Sequence, residues 1–393
     1  RLEEGASKEN FLSNAFQLTS PEVFATETER FKVSLNLLDQ EVPIPNRLQD
    51  RHNDLAFEPA SGFQNAPDTD PSLAGNRSWG YEIIRSAAAS DIGVDLVANQ
   101  TLTSESDLES LLARTVSGGQ RWATLSGLER SEKLHKVGVA LEANRARLIE
   151  VSMAEAGKTL DQADTEISEA VDFAHYYAER AEELDSIDGA KPEPYRLTVV
   201  TPPWNFPIAI PAGGALAALA AGSAVIFKPA GASARCGAVL ADIISKIIEP
   251  DVFAPIQISE SGLGKQLLSH PSVDQVILTG GYETAELFKS FKPNMRLLAE
   301  TSGKNAIIVT ESADYDLAAK DIAYSAFGHA GQKCSASSLV ILVGSAAKSK
   351  RFRRQLEDAV TSLHVGHPDD PRTQMGPMIA PPEGKLLEGL TQL

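Results

Sequence analysis

Short β-branched runs alternate with amphipathic helical segments from residue 195 to residue 363, and this alternation constrains the fold more than any other feature. Strands that alternate with helices form parallel sheets covered by helices on both faces. The predicted strands are residues 196–201, 224–228, 255–259, 273–279, 296–299, 306–310 and 339–343. The predicted helices between them are residues 232–248, 264–269, 283–291, 316–329 and 346–363. The sequence therefore predicts an α/β protein built on a Rossmann-like parallel sheet.

The first 105 residues have a different texture. Asn, Pro, Asp and Ser are frequent between Pro43 and Asn76, and apolar periodicity is weak there. Such composition is typical of linkers. From Ser104 onward, apolar residues such as Leu108 and Leu112 recur at helical spacing. We therefore expect a linker over residues 21–105, followed by helices.

Bulk properties exclude several classes of function. A chain of 393 residues exceeds what one hydrophobic core usually supports, so we expect two or more domains. The longest apolar run, residues 208–221, is too short for a membrane span. A net charge of −17 opposes binding to nucleic acid or to anionic lipid. A basic cluster is interpreted as a solvated helix face: Lys348, Lys350, Arg351, Arg353 and Arg354.

Two cysteines, Cys236 and Cys334, lie far apart in unlike contexts, which argues against a disulfide framework and favours a reducing, cytoplasmic location. Cys236 fits an apolar helix stripe and is predicted to be inert. Cys334 follows a predicted helix in Gly331-Gln-Lys-Cys and precedes a strand. Most cysteines in globular proteins are buried and inert, so this signal is weak by itself. No metal site is predicted.

Two further residues could serve an aldehyde-oxidising cysteine, which needs an oxyanion hole and a base for the hydrolytic water. Asn205 lies among prolines in Pro203-Trp-Asn-Phe-Pro after a predicted strand, and its amide could donate to an oxyanion. A turn residue is the alternative. Glu300 ends an apolar strand and could act as a general base, although a solvated strand end is the alternative.

Together these segments resemble the aldehyde dehydrogenase superfamily from about Leu108 onward. Five motifs appear in family order: Pro203-Trp-Asn-Phe-Pro, Phe227-Lys-Pro-Ala, Leu278-Thr-Gly-Gly, Leu298-Ala-Glu-Thr-Ser-Gly-Lys and Gly331-Gln-Lys-Cys. The resemblance implies that Cys334 is the nucleophile, that Asn205 stabilises the oxyanion, and that Glu300 is the base. It also implies a cofactor domain over residues 106–300 and a catalytic domain over residues 301–393.

The same resemblance assigns a cofactor site for NAD, with NADP as the alternative. Lys228 would reach the adenosine ribose. The other assigned residues are Trp204, Gly231, Gly264, Gly280 and Gly281. The usual Gly-x-Gly-x-x-Gly fingerprint is absent, and the family's strand–turn–helix at residues 279–285 replaces it. Many NAD-using relatives have Glu three residues after the lysine, where this chain has Gly231, so the choice between NAD and NADP rests on the family branch.

Residues around the nucleophile narrow the resemblance. Ala326-Phe-Gly-His-Ala-Gly-Gln-Lys-Cys-Ser-Ala-Ser is similar to the glutamate γ-semialdehyde dehydrogenase half of bifunctional proline utilization enzymes. This branch implies oxidation of L-glutamate γ-semialdehyde, with Phe206 and Ser335 at the substrate. It also implies a homo-oligomer fused to a proline dehydrogenase. Residues 1–20 resemble the end of the proline dehydrogenase barrel, in which Arg1 would be the second of two arginines that bind the proline carboxylate and Glu4 its acidic neighbour.

Only 59 residues follow Cys334, and the chain opens with Arg1, so we expect a piece truncated at both ends with an incomplete catalytic domain. Three alternatives stay open. A coenzyme A-acylating relative would use a thiol in place of water, and Glu300 argues against it. A catalytically dead fragment could retain a dinucleotide-binding or scaffolding surface, and another aldehyde could be the substrate.

Overall fold

A computed structural model describes residues 11–38, 46–53, 57, 59 and 62–392. The chain forms two units, Arg1–Leu48 and Gln49–Leu393. The first contains helix α1 (Phe11–Asn14), a 3-10 turn and helix α2 (Pro21–Asn36). The predictions for Arg1 and Glu4 lie outside the described residues.

The second unit begins with a helical layer. Its members are α3 (Ala74–Ala87), α4 (Val94–Gln100), α5 (Glu105–Trp122), α6 (Gly127–Ala143), α7 (Arg145–Ala156) and α8 (Leu160–Leu184). Ser126 and Glu129 form a capping box that begins α6, so two orphan donors at this helix end are satisfied. Helix α8 buries an Ala-rich stripe against α6 because small side chains allow close helix packing.

The stretch predicted as a linker contains α3 and α4, and Trp79, Ile83 and Ile84 of α3 are buried in the main core. Residues of this stretch form hydrogen bonds with side chains of the helical layer. The guanidinium of Arg51 donates to Glu142 Oε1 at 2.6 Å, and both side chains are almost fully buried. Asp172 accepts a hydrogen bond from the backbone of Ala66 at 2.6 Å. Composition alone does not indicate this order because every partner lies far away in sequence.

The central sheet follows the helical layer. Its strands are β1 (Leu197–Thr201), β2 (Ala224–Phe227), β3 (Phe253–Pro255), β4 (Gln275–Gly280) and β5 (Leu297–Thr301). All neighbours pair in parallel, and the order in space is β3-β2-β1-β4-β5. Helices α9 (Ala209–Ala220), α10 (Ala234–Ile244), α11 (Leu263–Ser269) and α12 (Tyr282–Phe291) connect these strands. The predicted α/β fold is confirmed.

Each predicted strand overlaps an observed strand, but β3 lies two residues earlier than expected. Phe253 and Ala254 are buried and pair with β2. At Gln257 the chain leaves this pairing and bridges to Thr101 instead. Ile256 still donates its N–H to the Phe227 carbonyl at 2.9 Å, so the second contact begins only at Gln257, which the alternating pattern could not reveal.

A smaller pair of parallel strands, β6 (Asn305–Val309) and β7 (Ser337–Leu342), follows the central sheet in the chain. Helices α13 (Tyr315–Phe327) and α14 (Lys350–Thr361) accompany them, and helix α15 (Gly384–Gln392) comes last. Val309, Ile322 and Phe352 are buried in the core of this layer. Within the described residues, no helix combines the length and the apolar character that a membrane span needs.

Candidate active site

The order of the central sheet reverses between β1 and β4, because the chain crosses from one side of β1 to the other. In open α/β sheets, ligands bind beside the carboxyl ends of the strands at such a switch point. A cleft of about 750 Å³ lies there, and it is lined by residues that follow β1, β2, β4 and β5. This volume suits a small-molecule or cofactor site.

Most of the residues singled out from the sequence line this one cleft. They are Trp204, Asn205, Lys228, Gly264, Gly280, Gly281, Glu300 and Cys334. Three others are not part of its lining, namely Phe206, Gly231 and Ser335. Ser335 is exposed beside Cys334, while the ring of Phe206 faces Lys158.

Cys334 lies on the loop between α13 and β7, and its side chain is exposed. Just before it, His329 and Ala330 both adopt left-handed backbone with φ 54°. Non-glycine residues rarely adopt this conformation, so surrounding contacts must hold the loop. The amide of Asn305 provides one such contact, donating to the Cys334 carbonyl at 2.6 Å.

Gln332 connects the loop that carries Cys334 to two other segments. Its side-chain Nε2 donates to the His329 carbonyl at 3.1 Å, and its Oε1 accepts from the Ile379 backbone at 2.9 Å. Its own carbonyl accepts a hydrogen bond from Asn205 Nδ2 at 2.9 Å. Asn205, the candidate oxyanion donor, is therefore bonded directly to the loop that carries Cys334. The second proton on Asn205 Nδ2 is left for another acceptor.

A buried ion pair supports the loop that carries Asn205. Gly157 ends α7 in the left-handed conformation (φ 67°), and the next residue, Lys158, pairs with Glu166 on α8. Glu166 Oε1 also accepts hydrogen bonds from the Ile208 and Ala209 backbones at 2.7 and 3.0 Å. These amides begin α9, directly after the Asn205 loop, so Glu166 satisfies donors that the helix leaves free.

Lys158 also faces the Asn205 loop through Phe206, whose ring lies 4.4 Å from the ammonium nitrogen. This cation–π distance is within the attractive range. His329 is buried nearby, and burial together with Lys158 and Lys333 lowers its pKa to about 4. Its imidazole is therefore neutral near pH 7. Burial, and then Lys158, also lower the pKa of Lys333.

Glu300 occupies the carboxyl half of β5, where it lies opposite Thr279 of β4. Its side chain is exposed and contributes to the cleft wall. Its backbone position is therefore fixed by the sheet, while its carboxylate faces the open cleft. A carboxylate in this position can reach water that enters the cleft.

The other end of the cleft fits a dinucleotide. Gly280 and Gly281 precede α12, whose first turn offers backbone N–H groups that suit a phosphate. At Gly264 a Cβ atom would lie 3.0 Å from the Ser259 carbonyl, so only glycine fits there without a shift. Lys228 contributes a cation after β2. This donor set matches the diphosphate and ribose of a nicotinamide dinucleotide.

The sequence profile of the aldehyde dehydrogenase family matches residues 90–392. The chain belongs to the aldehyde dehydrogenase family. Curated relatives include bifunctional protein PutA of Salmonella typhimurium, which is 34% identical over 295 residues and matches 72% of this chain but 22% of its own length. The 1-pyrroline-5-carboxylate dehydrogenase 2 of Bacillus subtilis is 31% identical over 307 residues, covering 72% of this chain and 59% of the relative.

Solved aldehyde dehydrogenase structures agree with this assignment. Proline utilization A from Corynebacterium freiburgense is 44% identical and aligns with a TM-score of 0.76 over 84% of this chain and 33% of that chain. A 1-pyrroline-5-carboxylate dehydrogenase from Thermus with bound NAD is 25% identical, with a TM-score of 0.73 over 82% of this chain and 70% of that chain. The predicted family resemblance is confirmed.

Several residues that shape this cleft were not identified from the sequence. Lys158, Glu166 and Gln332 hold the loops that carry Asn205 and Cys334. Asn305 holds the Cys334 carbonyl, and Glu260 pairs with Lys228. The Gly-Lys-Thr sequence at residues 157–159 marks a helix end, but no local pattern shows that its lysine lies beneath Phe206.

Proposed function

We propose that the chain carries the machinery that oxidises L-glutamate γ-semialdehyde, the open-chain form of 1-pyrroline-5-carboxylate, to L-glutamate with NAD(P). The supporting observation is the shared cleft that brings Asn205, Glu300 and Cys334 together beside the glycine-rich turn of β4. The relatives named 1-pyrroline-5-carboxylate dehydrogenase support the choice of substrate. NAD is the proposed cofactor, with NADP as the alternative.

In this proposal, Cys334 Sγ attacks the aldehyde carbon as a thiolate and forms a thiohemiacetal. Asn205 Nδ2 and the Cys334 backbone N–H donate to the developing oxyanion, which is the charge that most needs stabilisation. Lys228, Gly280 and Gly281 would hold the dinucleotide, which when bound would supply an acceptor for the hydride that leaves this carbon. The carbonyl reforms as a thioester on Cys334, and the oxyanion charge is released.

Glu300 then takes a proton from water, and the resulting hydroxide attacks the thioester carbon. The carbon–sulfur bond breaks, Cys334 leaves as a thiolate, and L-glutamate is the product. Ser335 is proposed to help hold the α-carboxylate of the substrate, because it follows the nucleophile directly and is exposed. Phe206 is proposed to contribute to the substrate pocket from the oxyanion loop.

The broader setting is also a proposal. Relatives described as bifunctional support a link to proline dehydrogenase and hence to proline catabolism. We also propose that the protein forms a homo-oligomer. Free Cys236 and Cys334 support a reducing compartment such as the cytoplasm.

The test measures reduced-nicotinamide formation by the purified chain with L-glutamate γ-semialdehyde, and with an aliphatic aldehyde of equal length. We expect Cys334→Ala to abolish turnover and to retain nucleotide binding. Cys236→Ala is the matched control, because Cys236 is buried away from the cleft and burial raises its pKa. We expect Ser335→Ala to erode the preference for the semialdehyde.

Three outcomes would contradict the proposal. Unchanged turnover in Cys334→Ala would show that Cys334 is not the nucleophile. Equal turnover of the aliphatic aldehyde would refute the assignment of L-glutamate γ-semialdehyde as the substrate. Nucleotide binding without any turnover would favour a dinucleotide-binding module that performs no oxidation.

A further inference from the structure

The cleft carries few charged side chains, and they lie in two groups. Among the lining residues, Glu300 and Lys333 accompany Cys334, whereas Glu260 and Lys228 lie at the cofactor end. Glu260 Oε1 is 3.3 Å from Lys228 Nζ. Glu260 is therefore the carboxylate that would meet the adenosine end of a dinucleotide.

The backbone places this pair at the ends of two neighbouring strands. Lys228 directly follows β2, and its N–H donates to the Val200 carbonyl at 3.0 Å, so its position is fixed by the sheet. Glu260 lies in the loop between β3 and α11. The Lys228 side chain is 14% exposed and that of Glu260 is 79% exposed, so the carboxylate faces the cleft mouth and solvent.

The turn after β2 provides no acidic group of its own. Its residues are Pro229, Ala230 and Gly231, and a Cβ at Gly231 would meet no atom within 4 Å. Open space is therefore available beside the lysine. Dinucleotide folds that prefer NAD hold the ribose 2′-hydroxyl with a carboxylate near this strand end, whereas folds that accept NADP offer a cation to the 2′-phosphate.

We propose that Glu260 accepts a hydrogen bond from the 2′-hydroxyl of the adenosine ribose and thereby makes the chain prefer NAD to NADP. The inference rests on the proposed function, because it assumes that a nicotinamide dinucleotide occupies this cleft. A 2′-phosphate would place two negative charges against the Glu260 carboxylate. Because Lys228 and Glu260 together carry no net charge, the pair offers a 2′-phosphate no net attraction, whereas a 2′-hydroxyl can donate to the exposed carboxylate.

The experiment measures equilibrium binding of NAD and of NADP to the full chain by isothermal titration calorimetry, with no aldehyde present. Its variants are Glu260→Gln and the control Glu132→Gln, which makes the same charge change at an exposed position of α6 outside the cleft. We expect the unchanged protein to bind NAD more tightly. In Glu260→Gln, the ratio of the two dissociation constants should shift toward NADP by about tenfold, or about 1.4 kcal/mol.

A second variant tests the role of the freed lysine. Without Glu260, Lys228 can attract the 2′-phosphate, so NADP binding by Glu260→Gln should weaken as salt is added. Adding Lys228→Met to Glu260→Gln should abolish most of the gain in NADP affinity. Since Glu260 is largely exposed, Glu260→Gln should keep the melting temperature of the parent within a few degrees.

The outcomes separate this inference from the proposed function. If neither nucleotide binds the unchanged protein, the proposed dehydrogenase function fails and the role of Glu260 fails with it. If both bind and Glu260→Gln changes their ratio by less than about threefold, Glu260 alone is misassigned. An equal shift in Glu132→Gln would assign the effect to overall charge and would overturn the specific contact.

Discussion

The buried Lys158–Glu166 pair beside the Asn205 loop gives the sharpest prediction about stability. In Glu166→Gln, the amide oxygen can still accept from the Ile208 and Ala209 backbones, which now donate at 2.7 and 3.0 Å. Lys158, however, loses its counter-ion while 1% exposed. It must either remain charged and unpaired or lose its proton. We therefore expect the variant to lose stability mainly through the lysine.

The size of the loss follows from the two options. Removing one partner of a buried ion pair costs about 3–5 kcal/mol. Taking the proton from an ordinary lysine at pH 7 costs about 4–5 kcal/mol, which sets a similar limit. We expect Glu166→Gln to lower the free energy of unfolding by about 3–5 kcal/mol.

The assay is urea denaturation at pH 7, followed by tryptophan fluorescence. Glu249→Gln is the matched control, because Glu249 pairs with Lys133 at 2.7 Å in a largely exposed position, where such a pair contributes about 0–1 kcal/mol. Lys158→Met combined with Glu166→Gln should recover most of the loss, since no buried charge remains. A single variant within about 1 kcal/mol of the parent, or a double variant as unstable as the single, would refute this reasoning.

The remaining predictions concern catalysis and pH. Glu300→Gln should retain a burst of reduced cofactor in stopped-flow measurements while steady turnover falls, and loss of the burst would mean that Glu300 also acts before hydride transfer. Asn205→Ala should lower turnover by about 10²–10³, and a change below about threefold would leave it a turn residue. Burial, then His135, lower the pKa of His175 to about 4, so stability present above pH 6.5 should decline as pH falls toward 4. His175→Gln should flatten this decline in unfolding midpoints, and an unchanged slope would contradict it.

The centre of the sheet could be predicted from the sequence because β1 and β2 are short, buried and rich in β-branched residues. Leu197–Thr201 and Ala224–Phe227 are buried at every position, which gives continuous apolar runs between helices. The turn at Gly280 and Gly281 was also visible, since glycine pairs at a strand end indicate close backbone approach. Parallel pairing then brings the strand ends to one edge, so the position of the cleft follows from local patterns.

The contacts that hold the cleft were not predictable in this way. Glu166 bonds to amides 42 and 43 residues away, and Lys228 pairs with a glutamate 32 residues away. Each of these side chains looks locally like an ordinary solvated residue on a helix or loop. Long-range polar partners leave no periodic signal, because periodicity reports which face is buried and not which groups meet there.

Glu166 and Glu260 show how burial decides what a carboxylate–lysine pair does. Both contact a lysine, yet the Glu166 side chain is 1% exposed and that of Glu260 is 79% exposed. Water screens the exposed pair, so its loss should change stability little, but its carboxylate stays available to a ligand. The buried pair has no such freedom, and its charge is committed to Lys158 and the start of α9. The same Glu→Gln change should therefore alter unfolding at one position and nucleotide preference at the other, which makes each variant a control for the other.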